Sequence, residues 1–458
     1  MRFSHAHLHR FAIPLRTPFR TSYGVETARH GTLVHLVGPD GEGWGECVAE
    51  VEPHYSPEYA DGAYEVIKRF LLPRLDGRAT DAASVGERFA SVPGHHMAKA
   101  AIEAAVWDAE CRMDGVSLAE RLGTSRTRVP AGVAIGIQPS VAELLNVVAA
   151  YIAEGYRRVK LKIEPDNDLV PVRAVREAFG DTLMIQVDAN GAYSLGDAHR
   201  LRALDPYGLA LIEQPLPADD LFGHARLAEL LETPICLDES ITSVRQAAEA
   251  ITIGACSVIN VKPARVGGLS EALRIHDLCL VRGVDLWCGG MLETGIGRAL
   301  NVALAALPGF TLPGDLSASA RYFERDLTEP FVLENGGLRV PDGPGIGVSP
   351  LDDALAEFVT SREVITLGAP RVGEDLLGES VHLGIELVVR HAVVDQANLG
   401  GLDATDTAAR EHQFLRLRQA DTLGKTDRHS PHRSESPLTM GVTELGRIRT
   451  EKEVAAEC

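Results

Sequence analysis

Between Arg158 and Glu293 a short, β-branched apolar run closing on a charged residue comes round about every 25 positions. Val159-Lys160-Leu161-Lys162-Ile163 is followed by Ile185-Gln186-Val187-Asp188, Leu211-Ile212-Glu213, Ile235-Cys236-Leu237-Asp238 and Val258-Ile259-Asn260-Val261-Lys262. From Lys162 to Asp188, Glu213, Asp238 and Lys262 in turn, the steps are 26, 25, 25 and 24 positions. That interval holds one strand and one return helix, and helical patterns such as Leu169–Phe179, Ala225–Leu231, Val244–Ile253 and Glu271–Arg282 fill the gaps. Alternating strands and helices predict a parallel sheet covered on both faces. Leu286–Glu293 continues the series. With Val129–Gly136 as a first strand and Phe310–Pro313 as an eighth, the fold class is α/β: an eight-stranded β/α (TIM-type) barrel. The charged residues sit at the C-terminal ends of the runs, where such barrels carry their active sites.

On this count Lys162 ends strand 2 and Lys262 ends strand 6, so the two lysines face each other across the ring. Asp188, Glu213 and Asp238 end strands 3, 4 and 5, which lie ~4.8 Å apart in a sheet, and can converge between them. Clustered carboxylates repel one another unless a cation joins them. Oxygen ligands alone suit a hard ion, Mg²⁺ or Mn²⁺, rather than zinc. Such an ion can grip a substrate carboxylate and stabilise the enediolate left when the α proton departs. Lys160, two residues before Lys162, points to the same side of its strand. Lysines on opposite faces of a planar intermediate permit racemisation. One lysine as base, with the other holding charge, serves a syn elimination. A single strand-end carboxylate is more often a loop cap, and a lone inward lysine an ion-pair partner. Five positions in one phase make the catalytic reading the better one.

The motifs Lys160-x-Lys162, Asp188-Ala-Asn190, Glu213-Gln-Pro215, Asp238-Glu239-Ser240, Lys262-Pro-x-Arg265-Val-Gly-Gly268 and Gly289-Gly-Met-x-Glu293-Thr-Gly-x-Gly-Arg298 resemble the enolase superfamily. More narrowly they are similar to its N-acylamino acid racemase / o-succinylbenzoate synthase group. The likeness runs from about Arg2 to about Pro350 and includes Pro18-Phe-Arg-Thr-Ser22 and Gly43-Trp-Gly-Glu-Cys47. The resemblance implies that Lys162 and Lys262 are the acid/base pair and that Asp188, Glu213 and Asp238 bind the metal. It implies a supporting role for Lys160, Asn190, Glu239 and Arg265 around them. Phe19, Glu50, Tyr55, Ala134 and the Gly290-Met291-Leu292 backbone would line the substrate pocket. The implied reactions are racemisation of N-acyl (N-succinyl) amino acids and dehydration to o-succinylbenzoate in menaquinone synthesis, on a small carboxylate substrate. Two positions depart from the group: Glu50 stands where an apolar residue is expected, and Ala134 where a serine is. A cycloisomerase or dipeptide epimerase is the nearer alternative; Gly314-Asp315-Leu-Ser317 stands where the epimerases carry Asp-x-Asp. A non-catalytic barrel used for binding is the alternative of another class, and would be favoured by a lost lysine or carboxylate.

A formal net charge of −19 and a mean hydropathy of −0.01 argue against nucleic acid or anionic membrane as the main partner. No signal-peptide or membrane-span pattern is evident. The seven cysteines show no Cys-x-x-Cys spacing, as expected of a reduced cytoplasmic protein. The family resemblance implies a homo-oligomer. Residues 1–125 are expected to form an α+β cap, with a hairpin around Gly38-Pro-Asp-Gly41, helices near Tyr59–Leu75 and Met97–Met113, and loops at 14–24 and 48–56 closing over the barrel. The barrel takes 126–315, and 316–368 returns to complete the cap. Residues 369–458 hold one aromatic residue, Phe414, and are expected to be a poorly ordered extension.

Overall fold

The structure is a computed structural model describing residues 1–368, apart from 22, 23 and 125. The extension expected over 369–458 lies outside the described residues. The chain opens with the antiparallel strands β1 (His5–Arg20), β2 (Val25–Gly38) and β3 (Gly41–Cys47). Gly38 pairs with Gly41 across the expected tight turn. Ala6, Leu8, Val34 and Leu36 bury one face of this sheet with Ala98, Ala101, Ile102 and Ala105 of the helix His96–Asp114. Alternate positions of a strand share a face, and those alanines form one helical stripe. Sheet and helix meet closely because β3 offers glycines: a Cβ on Gly45 would lie 2.0 Å from the Ala101 carbonyl oxygen. Gly115, at φ 69°, ends the helix in the left-handed conformation that glycine adopts freely.

Of residues 14–24, expected to be a loop, 14–20 instead continue β1 as one side of a two-stranded ribbon. β1 runs on to Arg20, with Phe19 beside Glu26 and Arg20 beside Val25. Pro14 and Pro18 have no N–H to give a ladder. A register shift between Pro14 and Phe19 carries the pairing past them. The arm reaches the barrel, where the Ile137 N–H donates to the Arg20 carbonyl at 3.2 Å. Residues 48–56 do form a loop.

After the cap comes β4 (Arg128–Pro130), then the parallel strands β5 (Gly132–Ile135), β6 (Arg158–Lys162), β7 (Met184–Asp188), β8 (Ile212–Glu213), β9 (Ile235–Leu237), β10 (Val258–Val261) and β11 (Asp285–Cys288). They lie in sequence order in a curled seven-stranded sheet. The expected first strand is therefore split: Arg128–Pro130 pairs antiparallel with β12 (Gly337–Arg339). The expected eighth strand is an extended segment making single parallel bridges, Phe310 to Leu286 and Gly314 to Ala131. Pro313 cannot donate to a ladder, yet the segment touches both edges. The Thr311 N–H bonds the Leu286 carbonyl at 3.1 Å, and the Gly132 N–H bonds the Gly314 carbonyl at 2.7 Å.

Outward side chains such as Val159, Leu161, Ile185, Val187, Ile259 and Val261 are buried beneath the helices. Each contributes roughly 1.5–3 kcal/mol of hydrophobic stabilisation. The inward phase is different. Leu211, Cys236, Val258 and Trp287 fill the barrel floor, and charged residues follow one pleat higher. The chain then returns, and β13 (Val359–Thr366) pairs antiparallel with β1, His5 beside Thr366. The described cysteines are all unpaired and buried. Among the described residues no helix is long and apolar enough to cross a membrane.

Candidate active site

Register decides which strand-end groups meet. Lys162 pairs with Asp188, and Asp188 with Glu213. Glu213 pairs with Cys236, so Asp238 lies two residues further along, on the same face but one pleat nearer the mouth. Lys160 Nζ sits 3.0 Å from both Asp188 Oδ2 and Glu213 Oε2, and 2.6 Å from Asp315 Oδ2. Lys162 Nζ donates to Asp188 Oδ2 at 2.8 Å and Asn190 Oδ1 at 2.6 Å, and Asn190 donates on to Glu239 Oε1 at 3.0 Å. On the other side Lys262 Nζ donates to Asp238 Oδ2 at 2.7 Å and to the Tyr55 hydroxyl at 3.2 Å. Tyr55 donates to Asp238 Oδ1 at 3.0 Å, and the Arg265 guanidinium pairs with the same carboxylate. Asn260 Nδ2 donates to Glu213 Oε1 at 2.8 Å.

Each expected metal-binding carboxylate is thus held by cationic side chains. Among the described residues the one trio of ligand atoms drawn within 4.8 Å belongs to His7, His9 and His35; Asp188, Glu213 and Asp238 are spread wider. The donor set still fits a hard divalent ion. It is all oxygen, buried, and carried by adjacent strands. Burial and the charge of Asp188 push the Glu213 carboxyl up, and the same two causes push up Glu239. Glu239 Oε2 is buried with no hydrogen-bond partner. A further cation beside Glu213 and Glu239 would favour their ionised forms. Burial opposes ionisation of Asp188 too, but Lys162 and Lys160 hold it far below the carboxylate range. Lys262 shows the reverse balance. Burial disfavours its charge, yet Tyr55, Glu213 and Glu239 keep its ammonium well above the ordinary lysine value.

Above these groups opens a cavity of about 440 Å³. Lys160, Lys162, Asp188, Asn190 and Lys262 form its floor, while Ala134, Gly290, Met291 and Leu292 supply barrel wall. The cap contributes Phe19, Glu50 and Tyr55. Glu213, Asp238, Glu239 and Arg265 do not line it; the three carboxylates lie behind the floor groups they contact, and Arg265 pairs with Asp238. Asn190, Gln214 and Leu292 take positive φ of 45°, 39° and 57°. These non-glycine residues are strained at the ends of barrel strands, a pattern that clusters at functional sites. Gly289 has to be glycine, since a Cβ there would lie 2.6 Å from Lys262 Cε.

Four contributors escape a motif-based reading. Asp315 accepts from Lys160 and from Arg158 Nη1, the latter at 2.6 Å; its place after the eighth segment was the available signal. Asn260 shares the inward phase of Lys262, two residues on. Arg158, fully buried, shares that of Lys160. Arg29 gives no such sign. It lies on the cap ribbon, lines the cavity, is 1% exposed, and has two nitrogens without hydrogen-bond partners.

Residues 6–123 match the family described as mandelate racemase / muconate lactonizing enzyme, N-terminal domain, and residues 143–354 match the enolase C-terminal domain-like family. The chain belongs to the enolase superfamily. It is 54% identical over 363 residues to an N-succinylamino acid racemase from an Amycolatopsis species, covering 79% of this chain and 99% of that one. It is 50% identical to an o-succinylbenzoate synthase from Geobacillus kaustophilus, covering 74% and 91%. A crystal structure of an enolase-superfamily member from Listeria innocua superposes with a TM-score of 0.78 at 43% identity, covering 80% of this chain and 100% of that one. Enzymes of this superfamily depend on a divalent metal, and the buried carboxylates of this enolase-superfamily enzyme are the groups suited to hold one.

Proposed function

We propose that this enolase-superfamily enzyme racemises N-succinyl and other N-acyl amino acids and dehydrates a related substrate to o-succinylbenzoate. Both reactions begin by removing the proton α to a carboxylate. The observation that carries this is the placement of two lysines at opposite ends of one buried carboxylate network, both facing the same cavity. The 45–54% identity to relatives named for these two activities supports it.

Asp188, Glu213 and Asp238 would hold Mg²⁺ or Mn²⁺, which when bound supplies a Lewis acid for the substrate carboxylate. In racemisation one lysine, as the neutral amine, takes the α proton, and the other, as the ammonium, gives a proton to the opposite face. Lys162 and Lys262 stand four strands apart in the sheet, on β6 and just beyond β10, with β7, β8 and β9 between them. In dehydration one lysine takes the α proton and, as the ammonium, returns it to the departing β hydroxyl, which leaves as water. Tyr55 and Arg265 fix the Asp238 carboxylate that faces Lys262, and Asn190 fixes Lys162. The unpaired cysteines accord with a reducing compartment such as the cytoplasm, and a homo-oligomer accords with the family.

Solvent exchange tests the lysines. In D₂O, Lys162→Ala should stop α-proton exchange from one enantiomer of an N-succinyl amino acid, and Lys262→Ala from the other. Each should lose roughly 10²–10⁴-fold in racemisation. EDTA should abolish exchange in the parent, with Mg²⁺ or Mn²⁺ restoring it. A double-alanine variant that still exchanged either enantiomer would refute the assignment.

A further inference from the structure

The cap sheet carries imidazoles that this chemistry does not use. His5, His7 and His9 alternate along β1. His7 lies directly across from His35 on β2, and His35 directly across from Trp44 on β3. One ligand nitrogen from each of His7, His9 and His35 falls within 4.8 Å of the others. The rings are held in place: His35 stacks on the Trp44 indole at 3.9 Å and 5°, and His9 packs against that indole at 5.6 Å. His9 is 7% exposed, and neither of its ring nitrogens has a hydrogen-bond partner. Leaving a buried polar group unmet is unfavourable, so an imidazole in this position calls for a ligand. Burial pushes the His9 pKa down to about 4, which leaves a neutral ring with an available lone pair. His35 Nε2 lies 3.0 Å from the Glu42 carboxylate. That pairing fixes the tautomer of metal-binding histidines and frees the other ring nitrogen.

We propose that His7, His9 and His35 form a second cation site, for a divalent transition metal of the zinc class, in the cap and apart from the barrel carboxylates. Three imidazoles are a zinc ligand set and a poor one for Mg²⁺. The half-buried His7 and His35 leave the fourth position open to water. Arg362 on β13 and Arg112 on the packed helix also face the cluster. They oppose a cation, while Glu42 favours it.

The test uses the full chain, stripped of metal and kept in excess Mg²⁺, titrated with ZnCl₂ by calorimetry. Zinc content is measured after desalting, and Co²⁺ is added in place of zinc to read its visible spectrum. His7→Gln and His35→Gln serve as variants, because both positions are half-buried and outside the reaction; Mg²⁺-dependent activity then reports that each variant is folded. Histidines elsewhere are common to all three proteins. The parent should hold one zinc more tightly than either variant, by at least ~10-fold, and should give tetrahedral cobalt bands that the variants lack. Equal zinc affinity and content in parent and variants, or no retained zinc in the parent, would overturn the proposal.

Discussion

Glu50 and Arg29 set opposite charges on one wall of the cavity. Burial, then the charge of Glu26, pushes the Glu50 carboxyl up. Arg29 keeps two buried nitrogens without partners. A guanidinium so placed suits the distal carboxylate of an N-succinyl group, and a hydrogen bond to a charged group contributes roughly 1.5–3 kcal/mol. Arg29→Met is therefore expected to lower kcat/KM for N-succinyl substrates by about 10–100-fold, and for N-acetyl substrates far less. Glu50→Leu should lower KM for the succinyl series. Steady-state kinetics on paired substrates check both, and equal losses for the two acyl groups would remove Arg29 from that role. The lysines and carboxylates were legible in sequence because a period of about 25 and a two-residue pleat fix their phase. Arg29 was not, because nothing in its own strand says that the ribbon bends over the barrel.

At the scale of elements, cap and barrel are tied by Glu46 at the end of β3. Its carboxylate accepts from the Thr294 N–H at 3.1 Å, the Thr294 hydroxyl at 2.7 Å and the Gly297 N–H at 2.9 Å, at the start of the helix Gly295–Ala305. Burial outweighs those bonds and pushes its pKa up to about 6 from 4.5. Between those values the folded state keeps a proton that the unfolded chain releases. Stability from this group is thus fully present below about pH 4.5 and lost as pH rises through 6, by about 2 kcal/mol. Urea midpoints for the parent should fall over that window relative to Glu46→Gln, which has no such titration; parallel pH curves would show that the carboxyl is not perturbed. Strand phase, the Gly38–Gly41 hairpin and the helix ending at Gly115 could be read from sequence, since each rests on local pattern. The split first strand and the bridge-only eighth could not. Both rest on tertiary pairing, with Gly337–Arg339 and with Leu286 and Ala131, that no short window contains.

For the whole molecule, the pairing of β13 with β1 makes the cap a product of both ends of the described chain. A chain ending at Pro370 keeps that strand and every site residue, and is expected to retain activity within about twofold. A chain ending at Phe358 leaves the β1 edge unpaired, and exposed edges invite association; it is expected to aggregate. Soluble yield and light scattering of the two truncations distinguish them, and a soluble, active shorter chain would show β13 to be dispensable. The same pairing sets a schedule for synthesis. The neighbour of His5 leaves the ribosome roughly 360 residues later, and at translation speeds of about 5–20 residues per second that is a delay of roughly 20–70 s. The barrel can close in that interval. The opening strand of the nascent chain must wait on one side for its last partner, so the lid over the chemistry is completed after the vessel beneath it.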